Sequence, residues 1–172
     1  MPEMQVYYLR YRLHNWKKRI LIILVLFSFS CEDDLTNNTP AFQALVNGSN
    51  EWIAENYSVS IQNNQLSISG ANQTGVISIV VDSPQVDQYN LYSWTDNFAV
   101  FQDTLQYSTH NDGIGSIAYL SDGFIQIQEI DNLNNTISGN FHFDAYNGTG
   151  EYTVNVSEGI FYKIPINSED QD

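Results

Sequence analysis

At 172 residues the chain has room for one domain of ordinary size plus appendages. Its 15 % charged residues beside 42 % apolar and 13 % aromatic ones argue for a packed core over disorder. Five of the six basic residues (Arg10, Arg12, Lys17, Lys18, Arg19) precede residue 20, so from Cys31 onward nineteen acids face Lys163 alone, a net charge of −18. Such a surface repels phosphate, and nucleic acid is excluded as an expected partner.

Residues 17–31 read KKRILIILVLFSFSC. Lys17, Lys18 and Arg19 form a positive flank that stays on the cytoplasmic side. The eight apolar residues 20–27 are too few to span a bilayer core, which takes about 20. They suit the apolar core of a secretory signal peptide, about 7–15 residues long. The sixteen residues ahead of Lys17 are long for such a leader, which leaves Met4 as an alternative start to Met1, or a cytosolic extension. The apolar run ends in Ser28-Phe29-Ser30-Cys31, which resembles a bacterial lipobox. In that motif a small residue precedes a cysteine that is lipidated on sulfur and becomes the mature N-terminus. Ser30 fits the small position; Ser28 and Phe29 depart from the usual aliphatic-then-small pair. Cys31 is the only cysteine, so no disulfide can form within the chain. One acyl chain binds a membrane marginally and two or more hold it stably, so the resemblance implies a permanent lipid anchor at Cys31.

Glu32, Asp33 and Asp34 follow at once. They resemble the acidic export signal that follows the lipidated cysteine in surface lipoproteins of the Bacteroidota; the plain alternative is the solvated start of a linker. Residues 35–40 (LTNNTP) are polar and turn-forming, a short tether. The expected layout is therefore a signal peptide over 1–30, a tether over 31–40, a β domain over 41–166 and an acidic tail over 167–172. The expected location is the outer membrane, lipid-anchored and facing the cell surface, with a periplasm-facing orientation as the alternative.

From residue 41 the hydrophobic period is two. In ISGNFHFDA (137–145), Phe141, Phe143 and Ala145 fall on one face and Asn140, His142 and Asp144 on the other. FIQIQEI (124–130), YTVNV (152–156), LSIS (66–69) and YSVSI (57–61) alternate similarly. VISIVV (76–81) is nearly all apolar, the pattern of a central strand covered on both faces. Turn signals at Asn47-Gly48, Asn63-Asn64, Asp82-Ser83-Pro84, Asp112-Gly113, Asp122-Gly123, 132–135 and Asn147-Gly148 separate the runs. Eight to ten short strands so spaced predict an all-β fold: one antiparallel β-sandwich, or a calycin-like β-barrel as the alternative.

Chemistry is sparse. No nucleophile motif occurs, and His142 with Asp144 on one strand face is at most half of an acid–base pair. Two histidines after residue 31 are too few for zinc. Asp82, Asp87, Asp96, Asp103, Asp112, Asp122 and Asp131 fall mostly at strand ends, where aspartate serves turns, and no segment matches a calcium loop. No catalytic residue, metal site or cofactor is expected. Tyr89, Tyr92, Trp94, Phe98, Phe101 and Tyr107 crowd residues 89–107. Core is the ordinary fate of such rings, but an exposed few could stack on sugars, with Trp52 and Trp94 the residues whose exposure decides.

Phe42-x-Ala44, Gly48 and Trp52, then Ile125-x-Ile127 with Ile130-Asp131, then Ile137-Ser138-Gly139-x-Phe141-x-Phe143 and Gly159-x-Phe161 resemble an uncharacterised family of Bacteroidota lipoproteins, a domain of unknown function. The resemblance covers most of 41–166 and implies an all-β fold and an envelope location, with no activity or catalytic residue to carry over. The functional expectation is a non-catalytic binding or scaffolding module, its partner a glycan or an envelope protein. A small-molecule carrier with an apolar barrel cavity is the alternative.

Overall fold

The computed structural model describes residues 41–115 and 119–167. The expected signal peptide, Cys31, the acidic triplet, the tether and residues 168–172 of the tail lie outside them.

Eleven strands and no helix form among the described residues: β1 (Phe42–Val46), β2 (Asn50–Ile53), β3 (Asn56–Gln62), β4 (Gln65–Asn72), β5 (Gly75–Asp82), β6 (Gln88–Asn90), β7 (Phe98–Gln102), β8 (Gln106–Ser108), β9 (Asp122–Asp131), β10 (Thr136–Asn147) and β11 (Thr153–Asn167). The turns between them use the predicted chemistry where both central residues need positive φ, as primed hairpin turns do. Asn47 and Gly48 sit at φ 53° and 75°, Asn63 and Asn64 at 51° and 63°.

Hydrogen bonds link the strands in the order β2-β1-β11-β3-β4-β5-β7-β8-β10-β9-β6, with an additional β10–β11 pairing. That last pairing closes seven strands, β11-β3-β4-β5-β7-β8-β10, into a barrel-like ring, whose two sides can be followed as the layers β2-β1-β11-β10-β9-β6 and β3-β4-β5-β7-β8, joined at two corners. The long strands make the corners by outrunning their first partners. On one edge of β10, β9 pairs from Thr136 to Asp144 and β8 takes over at Tyr146 and Asn147. On one edge of β11, β1 pairs from Val156 to Phe161 and β3 joins at Ile166 and Asn167. The fold is thus a β-sandwich with barrel-like corners, and it departs from the purely antiparallel expectation at one place, the parallel β11–β3 pairing.

One core fills the space between the layers, with Phe42 and Trp52 meeting edge to face at 5.3 Å and Phe42 and Phe141 at 5.6 Å. Burying each such ring removes its apolar area from water at roughly 25 cal/mol per Å², a stabilising contribution they share with the aliphatic core around them. Inward positions alternate along β4, β5, β9 and β10, as the period predicts. Three sequence expectations need correction. VISIVV is not covered on both faces: Ile77, Ile79 and Val81 are buried while Val76, Ser78 and Val80 are only half-buried on the outer face of β5. Asp122-Gly123 is not a turn but the start of β9, where Gly123 packs against Phe143. The last strand runs far beyond YTVNV. Its inward residues Val154, Val156, Gly159, Phe161 and Ile164 are spaced two, three, two and three apart. Each three-residue step is a β-bulge, with Glu158 (φ 50°) or Lys163 (φ 47°) as the extra left-handed residue that returns the next apolar side chain inward.

Candidate functional site

Trp52 and Trp94 have opposite fates. Trp52 is 1 % exposed, and its indole Nε1 donates to the Gly75 carbonyl at 3.2 Å, so it ties β2 to β5 as a core residue. It is no stacking platform, and the alternation of NEWI, with only Trp52 inward, is the local reason. Trp94 is 65 % exposed in the loop between β6 and β7, its ring centre 4.9 Å from that of Tyr92. The loop is braced. Buried Leu91 pins its start, and the Tyr92 N–H donates to Thr95 Oγ1. That hydroxyl in turn lies 2.8–3.2 Å from the carbonyls of Asn97, Tyr92 and Asn90, any one of which takes its single proton. Ser93 Oγ donates to Asp112 at 2.9 Å, and the His110 ring nitrogen sits 3.2 Å from the Thr95 carbonyl. Of the remaining aromatics in 89–107, Phe101 is core, and Tyr89, Phe98 and Tyr107 are half-buried.

The polar candidates do not assemble. His142 packs edge-on against Phe124, ring centres 4.5 Å apart, while an Asp144 oxygen accepts from Asn155 Nδ2 at 2.8 Å. Asp87, Asp103 and Asp131 accept backbone N–H groups of their own turns, from Gln88, from Leu105, and from Leu133 and Asn134. Asp112 bridges loops by accepting from Ser93 and from the Ser121 N–H. No three His, Cys, Asp or Glu side chains gather as a metal site would require among the described residues.

A feature with no counterpart in the sequence reading lies at one end of the sandwich. The β1–β2, β4–β5 and β7–β8 connections and the start of β11 converge around an open cleft of about 560 Å³. Its wall includes Trp52, Phe101 and Tyr107, with ring centres of Phe101 and Tyr107 6.3 Å apart. Glu51 and Asp103 line it, and no Lys, Arg or His does. Burial, then the Asp103 carboxylate and Tyr152, raise the pKa of the Tyr107 hydroxyl above the ordinary tyrosine value.

A family model described as Domain of unknown function (DUF6252) matches residues 38–165, a span that takes in β1 to β10 whole and most of β11. The chain belongs to the DUF6252 family. No curated protein and no solved structure matches it. Within this DUF6252 domain the sequence marked Trp94 but missed the cleft. Glu51, Thr74 and Thr153 are far in the chain from the β7–β8 turn that carries Asp103 and Tyr107, and only the closure of the sheet brings them together. The available signals were scattered: Asn47 of the Asn47-Gly48 turn lines the cleft, and so do Trp52, Phe101, Asp103 and Tyr107, each marked in the sequence for a different reason.

Proposed function

We propose that this DUF6252 protein is an outer-membrane lipoprotein of the Bacteroidota. In this reading acylated Cys31 anchors it, Glu32-Asp33-Asp34 directs it to the cell surface, and its β domain is a non-catalytic module that binds glycan. The observation that carries the binding reading is Trp94, 65 % exposed beside Tyr92 on a loop held by the Thr95 bonds. A large apolar ring kept in water on a fixed loop gains nothing for the fold, whereas its face suits the apolar face of a sugar ring. The carrier alternative draws no support from the interior. Rings fill it so closely that a Cβ on Gly70 would stand 2.5 Å from Phe42 and one on Gly159 2.5 Å from Phe141. The non-catalytic reading is supported by His142 and Asp144 each being engaged elsewhere.

Three experiments test the parts separately. Cys31→Ala abolishes incorporation of labelled fatty acid, and continued labelling of the variant would refute the anchor. Protease added to intact cells digests the domain while a periplasmic control survives; survival of both would place the domain facing the periplasm. For the binding surface, the wild-type protein is retained on immobilised cell-envelope polysaccharide and Trp94→Ala is not. Retention of both, or of neither, removes Trp94 from the reading. Retention on envelope proteins alone, lost in Trp94→Ala, would replace glycan by a protein partner.

A further inference from the structure

The cleft at the end of the sandwich is separate in the chain from the Trp94 loop and unaccounted for by it. Three connections and the start of β11, remote from one another in sequence, build it, and its volume of about 560 Å³ falls within the range of small-ligand sites. Its lining combines two kinds of group. Tyr107 supplies a half-buried ring, with Phe101 behind it, and Thr74, Ser49 and Thr153 supply hydroxyls. Glu51, from β2, and Asp103, from the β7–β8 turn, supply the only charges, both negative. None of the described residues donates a side-chain hydrogen bond to Glu51, and one Asp103 oxygen is engaged with the Leu105 N–H, which leaves the other for a ligand. The one basic residue after Cys31, Lys163, lies ten positions further along β11 from cleft-lining Thr153, with its amine over the ring of Tyr162.

We propose that this cleft binds an organic ammonium ion on an aliphatic stem, the ammonium between the Glu51 and Asp103 carboxylates and the stem along the Tyr107 ring. An aromatic face attracts a cation through its quadrupole, and carboxylates lining a concave site add charge-assisted hydrogen bonds. A phosphate, sulfate or carboxylate meets two like charges there and no cation, and the net charge of −18 from Cys31 onward draws cations from a distance. Of the causes that raise the Tyr107 pKa, burial comes first and disfavours any charge, while the Asp103 carboxylate is the one that favours a cation. The same chemistry comes from two sources, a free polyamine or a lysine side chain on another protein.

Isothermal titration of the full-length chain with spermidine, with an end-capped lysine amide and with a neutral aliphatic diol tests the proposal. Saturable binding of at least one amine is expected, weaker at higher salt, with no heat from the diol. Spermidine alone binding identifies a free polyamine as the source, and binding of the capped lysine identifies a protein side chain. The double variant Glu51→Gln with Asp103→Asn keeps the shape of both side chains, and the new amide at position 103 retains an oxygen for the Leu105 N–H. It is expected to weaken amine binding by about tenfold or more, since each lost contact is a charged one. Trp94→Ala leaves amine binding unchanged, so this site and the glycan surface stand or fall independently. Absence of amine binding, equal binding of the diol, or an affinity that the folded double variant preserves would each overturn the assignment.

Discussion

Phe141 lays its ring over the backbone of Gly159, its cross-strand partner on β11, so closely that a Cβ at 159 would stand 2.5 Å from the ring. Two residues along the ladder the arrangement is reversed: Gly139 pairs with Phe161, and Phe161 covers it. Each glycine gives up the space that its partner's ring fills, and the stacked rings of Phe141 and Phe161, 6.5 Å apart, form the centre of the first sheet's inner face. Rings that cover cross-strand glycines protect a backbone which glycine alone would leave loose.

Gly159→Ala is therefore expected to destabilise the fold by about 1–3 kcal/mol through overpacking. Phe141→Leu, which frees the space, costs stability alone but relieves part of the alanine penalty when the two are combined. Urea unfolding midpoints of the two single variants and the pair measure this coupling. Strictly additive effects would mean that the ring yields elsewhere.

Glu158 holds the first bulge of β11 at φ 50°, a conformation that costs an L-residue roughly 1–2 kcal/mol and glycine almost nothing. Its side chain is exposed, so little packing is at stake. After the entropy that glycine loses on folding, Glu158→Gly is expected to stabilise by about 0.5–1 kcal/mol. Glu158→Ala, which keeps the strained backbone, gives no such gain. Thermal unfolding of both variants separates backbone strain from the removal of a negative charge.

The same residues show what the sequence could and could not disclose. The strand centres were legible because Phe141, Phe143 and Ala145, or Leu66 and Ile68, alternate with polar neighbours and the pleat turns alternation directly into burial. β11 was legible only to Val156, since its bulges break the period at Glu158 and Lys163 and a two-residue template stops there. VISIVV misled because Val76 and Val80 are apolar yet only half-buried, and composition does not separate a covered outer face from a partly covered one. The corners were not legible at all, because pairing of β3 with β11 and of β8 with β10 depends on where long strands outrun their neighbours. The cleft depends on those corners, and so it stayed hidden while Trp94, a property of a single loop, did not.

The two described tryptophans provide an optical check on this division. Trp94 emits as an indole in water and is open to iodide or acrylamide, whereas Trp52 emits to the blue and is protected. In the chain from Cys31 onward, which lacks Trp16, Trp94→Phe is expected to remove the quenchable component and to change stability by less than about 0.5 kcal/mol. Trp52→Phe removes the blue component, leaves the Gly75 carbonyl without its Nε1 partner and reduces a packed ring, for a cost of roughly 1–3 kcal/mol. Stern–Volmer quenching and urea unfolding of the two variants are the measurements, and equal quenching of both would contradict the burial of Trp52.

Two groups with opposite shifts contribute to the pH dependence of stability. Asp131 sits in the β9–β10 turn, where the Asn134 side chain, the Asn134 N–H and the Leu133 N–H donate to it, and Lys163 adds attraction; together they hold its pKa below the ordinary carboxylate value. Its folded pKa is the lower one, so its contribution is complete above the unfolded value of about 3.9 and is lost as pH falls through the folded value. Tyr107 is shifted up by burial, by Asp103 and by Tyr152. Below about pH 10 both the folded and unfolded states carry its proton and it has no effect. Above that, the unfolded chain releases the proton more readily, and stability falls until the folded hydroxyl ionises as well. Unfolding midpoints followed across pH are expected to show Asp131→Asn flattening the acid limb and Tyr107→Phe flattening the alkaline limb, each without altering the other. An alkaline limb unchanged in Tyr107→Phe would mean that the cleft is better hydrated, and its field weaker, than its lining by Glu51 and Asp103 implies.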